Sequence, residues 1–282
     1  MSDKMLHVEI DPSAGFCFGV AAAVKMAENA LDKGLVIHCL GELLHNEAES
    51  NRLKQKGMLV IGSEDMTHLR GQAVLFRAHG EPPESFIMAR NTGVELLDAT
   101  CPVVRKLQNK VREDYRRGAF IIILGKPDHP EVVGINGNIG NRALVVQSYK
   151  DLIAHELPDE VVVYSQTTMD EKILDELVEF LKSLNRKVQV NNTICRQVSQ
   201  RIPLLEGFAA AHDVILFVGG SNSSNSRQLF EVCQRINKRT YFISSVSGIQ
   251  KNWIRSGDSI GITGGTSTPG WLMEKVKTAL LT

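Results

Sequence analysis

Three cysteines, Cys17, Cys101 and Cys195, stand 84 and 94 residues apart, and the sequence around each repeats the others. Each opens a helix-like segment, "CFGVAAAVKMAENALDKG", "CPVVRKLQNKVREDYRRG" and "CRQVSQRIPLLEGFAAAHD", that leads to a strand. Twenty-four residues after each cysteine stands a glycine (Gly41, Gly125, Gly219), and 28 residues after each a polar residue (His45, His129, Ser223). A threefold internal repeat of this kind constrains the fold more than any other feature of the chain.

The pattern inside the repeats is α/β. "AFIIILG", "EVVVYS" and "DVILFVGG" are short β-branched runs that end at glycine or polar residues, as strands of a covered parallel sheet do. Between them lie helical patterns such as residues 169–184, with apolar Ile173, Leu174, Leu177, Val178 and Leu181 on one face. We therefore expect three similar small α/β domains with mainly parallel sheets, arranged pseudo-threefold around a central site. Only 87 residues follow Cys195, and the third unit lacks the strand that precedes the cysteine in the others. The N-terminal "LHVEI" can supply it. The expected borders are 18–100, 101–194, and 195–282 completed by 1–17.

Ligands of open α/β units sit beyond the carboxyl ends of strands and at helix N-termini, where each of these cysteines falls. A pseudo-threefold arrangement would bring the three to one point. Helix N-termini also lower a thiol's pKa, favouring the thiolate that a metal needs. Pro102 suits a first helical position, whereas Pro203 must kink or shorten the third helix. Three thiolates suit an iron–sulfur cluster with one iron lacking a protein thiolate; zinc is the rival, since ligand types alone do not separate the two metals. Cys39, in an apolar strand, and Cys233, in an apolar helix, read as buried hydrophobes.

The loops after predicted strands are rich in groups that hold anions. His45, His79 and His129 fall there, as do Thr167, Thr168, Ser223, Ser224, Asn225 and Ser267. Imidazoles, hydroxyls and helix N-terminal N–H groups can cradle a diphosphate without a basic surface. That matters because 32 Lys and Arg balance 32 Asp and Glu, leaving no overall field to hold nucleic acid. His7, His38, His68, His155 and His212 lie outside these loops. Glu131, two residues after His129, could donate a proton near the metal, or could be no more than a helix N-terminal charge after Pro130. No apolar run is long enough to span a bilayer and the N-terminus has no signal pattern, so a soluble, cytoplasmic protein without membrane or nucleic-acid partners is expected. Five cysteines there argue against a disulfide framework.

At this point the motifs "GFCFGV", "LLHN", "RAHGEPP", "DATCPVV", "HPEVVGINGN", "SQTTM", "NNTIC", "GSNSSNS" and "GITGGTSTP", running from Glu9 to Leu272, closely resemble those of the 4-hydroxy-3-methylbut-2-enyl diphosphate reductase (LytB) family of the methylerythritol phosphate route to isoprenoids. The resemblance implies a 4Fe–4S cluster held by Cys17, Cys101 and Cys195 with one open iron. It implies a substrate diphosphate bound by His45, His79, His129, Ser223, Ser224, Asn225 and Ser267, with Thr168 beside them. Glu131 and Thr167 would manage protons and the substrate hydroxyl. The implied reaction is a two-electron reductive dehydroxylation giving isopentenyl and dimethylallyl diphosphates. Its electrons would come from a ferredoxin- or flavodoxin-type donor, because no G-x-G-x-x-G opens a helix after a strand. Gln197, Val198, Gly270 and Gln108 depart from the residues usual in that family, and none is an expected ligand. A metal-bearing binding module would keep the cysteines but has no need of Glu131 and Thr167.

Overall fold

The computed structural model describes residues 6–282. Among these, twelve strands form three four-stranded sheets, every pairing parallel. The strands are β1 (His7–Ile10), β2 (Ile37–Leu40), β3 (Met58–Ile61), β4 (Ala73–Phe76), β5 (Glu95–Asp98) and β6 (Ile121–Leu124). They continue with β7 (Leu144–Val146), β8 (Glu160–Ser165), β9 (Lys187–Asn191), β10 (Val214–Val218), β11 (Thr240–Ile243) and β12 (Ser259–Gly264). The sheet orders are β3-β2-β4-β5, β7-β6-β8-β9 and β11-β10-β12-β1. All three are one topology, with the third closed by the chain's first strand: His7–Ile10 runs in register with Ser259–Ile262. Of the 1–17 segment expected to complete that unit, residues 1–5 lie outside those described.

Each repeat glycine stands just past the strand that follows its cysteine helix. The N–H of Gly41 bonds Ile61, that of Gly125 bonds Val146, and that of Gly219 bonds Ile243, in each case the carbonyl at the end of the neighbouring edge strand. This shared hydrogen bond turns the chain out of the sheet at the same place three times.

The helices are α1 (Phe18–Leu31), α2 (Glu47–Gln55), α3 (Pro83–Thr92), α4 (Pro102–Arg116), α5 (Pro130–Gly137), α6 (Glu171–Ser183), α7 (Arg196–Ser199), α8 (Arg201–Ala210), α9 (Ser224–Ile236) and α10 (Gly270–Leu281). Pro102 occupies the first position of α4. The helix after Cys195 is broken at Gln200 into α7 and α8, which puts Pro203 in the first turn of α8, where its missing N–H costs nothing.

The chain divides into two compact units. One comprises residues 6–24, Glu42–Gly57 and Gln197–Thr282 and contains the β11-β10-β12-β1 sheet. Its strand β10 alternates Val214, Leu216 and Val218 into a core closed by Leu272, Met273 and Val276 of α10, and Ile215 and Phe217 into one closed by Leu205 of α8 and Leu229 of α9. The other unit comprises Lys25–Gly41 and Met58–Arg196 and contains the remaining two sheets. There Ile122 and Leu124 of β6 pack with Leu174, Leu177 and Leu181 of α6, while Ile121 and Ile123 face Leu107 and Val111 of α4 and Val132 and Ile135 of α5. Helices cover both faces, which is why these strands read as unbroken apolar runs. Cys39 and Cys233 are fully buried, and burial pushes the Cys233 thiol up to about 12.

Candidate functional site

Each cysteine is reached by the same local construction. After β5, Asp98 Oδ1 accepts from the Thr100 N–H (3.0 Å) and hydroxyl (2.6 Å). After β1, Asp11 Oδ1 accepts from the Ser13 N–H (2.8 Å) and hydroxyl (2.7 Å), and after β9 Asn192 Oδ1 accepts from the Ile194 N–H (3.1 Å). These side-chain turns end the strand and aim the chain at the cysteine. The cysteine N–H then donates to a carbonyl two residues beyond the third strand of its own sheet: Cys101 to Ala78 (3.0 Å), Cys195 to Thr167 (2.9 Å) and Cys17 to Thr266 (3.1 Å). All three thiols are half-buried. The residues following those carbonyls are His79, Thr168 and Ser267, three of the residues expected to bind the diphosphate.

At Cys101, which caps α4, the expected lowering of the thiol pKa is outweighed. Burial raises it above the usual thiol value, against the N–H groups of Val103 and Val104, and the charges of Cys195 and Glu131 add to the rise. A metal would therefore have to displace the proton itself, as thiolate ligation does.

In the unit that carries Cys101 and Cys195, His129 is the N-cap of α5, and its Nδ1 accepts from the Glu131 N–H at 3.2 Å. That bond assigns the neutral ring's proton to Nε2, making Nε2 a donor. The rings of His79 and His129 meet edge to face, centroids 5.4 Å apart. Glu131 stands in the first turn of α5 and is only 3% exposed, turned into the protein rather than to solvent. Its Oε1 accepts from the Thr167 N–H (2.6 Å) and its Oε2 from the Thr167 hydroxyl (2.7 Å). Burial nevertheless holds the carboxyl above the usual carboxylate range. Thr168 Oγ1 accepts from Gln166 Nε2 (2.9 Å), leaving its own hydroxyl proton to donate. The close approach of α5 to the His79 loop depends on Gly134, where a Cβ would meet the Gly80 carbonyl oxygen. The departing residue Gln108 is buried under the same loop, its Nε2 2.6 Å from where a Cβ on Gly80 would stand.

In the unit that carries Cys17, Ser223 is the N-cap of α9, its hydroxyl accepting from the Ser226 N–H at 3.2 Å. Ser224 is the first residue of that helix. Asn225 Oδ1 accepts from both the N–H and the hydroxyl of Thr266, each at 2.8 Å. Its Nδ2 is buried and has no partner among the described residues. Ser267 Oγ lies 3.3 Å from the His45 carbonyl oxygen and 3.4 Å from Ser223 Oγ. Gly220 packs so closely on that His45 carbonyl that any Cβ would collide with it. Thus His45, Ser223, Asn225 and Ser267 are drawn together around hydroxyl and amide donors, with no carboxylate among them. Cys17 lines a cavity of about 230 Å³ with Gln197, Arg201 and Thr266.

Two contacts at this cavity were not singled out by sequence reasoning. Gln197 Oε1 accepts the Phe18 N–H (3.1 Å) at the start of α1, so the departure at 197 caps the helix that Cys17 opens. Arg201 is buried, with Nη2 donating to the Gly264 carbonyl at 2.6 Å, and burial lowers its pKa against the pull of Asp11 and Cys17. An arginine in a helical stretch gives no sign in sequence that it faces inward. Val198 is buried as an ordinary core residue, and Gly270 opens α10 with free space around it.

The LytB protein family matches residues 8–281. The chain is 42% identical to the 4-hydroxy-3-methylbut-2-enyl diphosphate reductase of Bacteroides thetaiotaomicron over 279 residues, 96% of each chain. It is 42% identical to that of Porphyromonas gingivalis, over 96% of this chain and 97% of the other. A solved (E)-4-hydroxy-3-methyl-but-2-enyl diphosphate reductase, described as the terminal enzyme of the non-mevalonate pathway, superposes with a TM-score of 0.76 at 35% identity, covering 98% of this chain and 99% of that one. The corresponding reductase from Plasmodium falciparum gives a TM-score of 0.87 at 25% identity, covering 99% and 89%. With three matching cysteine loops, three copies of one sheet and a family match from β1 to the last helix, this chain belongs to the LytB family.

Proposed function

We propose that this protein is a 4-hydroxy-3-methylbut-2-enyl diphosphate reductase, which removes the allylic hydroxyl as water and yields isopentenyl and dimethylallyl diphosphates. The balance is two electrons and two protons in, one water out. Cys17, Cys101 and Cys195 would hold a 4Fe–4S cluster, and the donor set fits: three half-buried thiols, each at the start of a helix and each fixed by the same backbone bond. When bound, such a cluster supplies low-potential electrons and, at its iron without a protein thiolate, a Lewis-acid site.

The residues of the chain would do the rest. The His129 Nε2–H, the imidazoles of His79 and His45, the hydroxyls of Thr168, Ser223, Ser224 and Ser267 and the unpartnered Asn225 Nδ2 are groups suited to a diphosphate, and they would fix the allyl chain for reaction. Glu131, protonated more readily than an ordinary carboxylic acid, would give its proton to the departing oxygen, and the Thr167 hydroxyl would hold that oxygen and the carboxyl in line. The observation that carries this assignment is the chain of contacts from Glu131 to both polar groups of Thr167, whose own carbonyl accepts the Cys195 N–H. The acid is thereby tied to a cluster ligand through one residue.

Electrons would arrive from a separate ferredoxin- or flavodoxin-type carrier. We place the enzyme in the cytoplasm, where reduced thiols persist, and among the described residues no helix is long and apolar enough to cross a membrane. We also take 18–100, 101–194, and 195–282 with 1–17 as the three repeat units. Anaerobically purified protein, given reduced methyl viologen, should consume the hydroxylated diphosphate and release both products; protein that carries a full cluster yet leaves the substrate intact contradicts the assignment.

A further inference from the structure

Helix α4 begins at Cys101 and carries five cations, Arg105, Lys106, Lys110, Arg112 and Arg116, against two acids, Glu113 and Asp114. The whole chain is neutral, and every other helix has a net charge between −2 and +1. Of the two acids, Asp114 is buried, where it accepts the Tyr164 hydroxyl and pairs with Lys110 Nζ at 3.7 Å. On the side of α4 that faces α3, Arg105, Asn109 and Arg112 recur at helical spacing and form one wall of a groove of about 290 Å³. Phe86, Ile87 and Arg90 of α3 form the other wall. Ile87 is 54% exposed. Arg105 is paired with Asp98, and the groove's one carboxylate, Glu81, is held by Arg77. Among the described residues Arg90 and Arg112 have no carboxylate partner, and Arg112 donates only to Asn109.

We propose that this groove is the docking surface for a small acidic one-electron carrier protein that delivers the reducing electrons. The inference rests on the reductase reading above and adds the place where the donor binds. Two features argue for it. A groove lined by Arg90 and Arg112, with the exposed apolar Ile87 in one wall, on an otherwise neutral protein, attracts and orients an acidic partner. The same helix starts at a proposed cluster ligand: the Arg105 N–H donates to the Cys101 carbonyl at 2.9 Å, so the groove begins one turn, about 6 Å, from that cysteine. Each turnover would oxidise two reduced carriers, one electron each, matching the two-electron reduction of the substrate.

The test compares R90E/R112E with the parent protein, using reduced plant-type 2Fe–2S ferredoxin as donor in one arm and reduced methyl viologen in the other. With ferredoxin the double variant should lose about tenfold or more in kcat/KM, mostly through KM, and should lose the parent's decline in rate with added salt. With methyl viologen it should match the parent within about twofold, the margin expected when only the steering of a protein partner is removed. R90Q/R112Q, which adds no repulsion, should fall between the two. Equal ferredoxin rates in parent and both variants overturn the docking assignment while leaving the reductase reading intact. A parent protein that is inactive with methyl viologen, cluster present, overturns the reductase reading instead.

Discussion

The loop after β8 and the loop after β12 make the same contacts and differ in the side chain that receives them. In each, a threonine two residues past the strand gives its carbonyl to a cysteine N–H, and its own N–H and hydroxyl to the side chain at the second position of a neighbouring helix. That side chain stands 30 residues after a repeat cysteine in both cases. In α5 it is Glu131; in α9 it is Asn225. The same pair of hydrogen bonds thus holds a protonatable group in one unit and an amide in the other. The two Thr bonds ask only for an accepting oxygen there, which leaves the acidity at 131 for the proton-donor role proposed above and the Asn225 Nδ2 for the proposed diphosphate. The first repeat cannot form this pair of bonds: Ala78 replaces the threonine, and the helix after Gly41 is capped one residue later, by Asn46, which puts Glu47 at its first position and Ala48 at its second.

Glu131→Gln bears hardest on this difference. An amide oxygen can accept both Thr167 bonds, as Asn225 does from Thr266, so folding and the cluster's visible absorption should be unchanged while turnover falls by about 10²- to 10⁴-fold. Steady-state assays beside anaerobic thermal melts read both; substantial turnover would remove the proton-donor role. The reciprocal Asn225→Asp keeps the bonds but sets a second carboxylate at the proposed diphosphate site. Its KM should rise by about a hundredfold, roughly 2.7 kcal/mol, with kcat less affected. An unchanged KM would take Asn225 out of the substrate site.

Thr167→Val and Thr266→Val each remove one hydroxyl donor and should each cost about 1–2 kcal/mol of stability. Only the first should also move the alkaline limb of the activity profile upward, because it strips a bond that favours the Glu131 carboxylate and the proposed donor then keeps its proton to higher pH; equal profiles would break the distinction between the loops. The smallest effect is on stability against pH. Glu131 has a folded pKa above its ordinary value of 4.5, so the folded chain holds an extra proton between those two values. Stability contributed by this group is greatest below pH 4.5 and is lost as pH rises toward the folded pKa, by about 1.4 kcal/mol per pH unit within that window, then levels off above it. Urea titrations across that range should show the slope in the parent and a flatter curve in Glu131→Gln.

Much of the architecture is legible in sequence because it is backbone periodicity. The apolar runs at 121–124 and 214–218 are continuous because helices cover both sheet faces, and the glycines at a fixed offset mark one recurring hydrogen bond. The equivalence of Glu131 and Asn225 is harder to see, since an acid and an amide do not align by chemistry and the threonines they hold lie a strand and a helix away. Arg201 is hidden for a different reason: its partners are backbone carbonyls, which leave no trace in residue identity. At Cys101 a helix start alone would lower the thiol, and the sign reverses because burial at the loop outweighs two N–H groups.

One cluster shared by three thiolates is the central claim. Iron and acid-labile sulfide analysis with Mössbauer spectroscopy of anaerobically purified protein tests it most directly. About four irons and four sulfides per chain are expected, with one iron spectroscopically distinct from the other three and responsive to the substrate diphosphate. Stoichiometric zinc in colourless protein, or a cluster whose content is untouched when Cys17, Cys101 or Cys195 is replaced by serine, would contradict it.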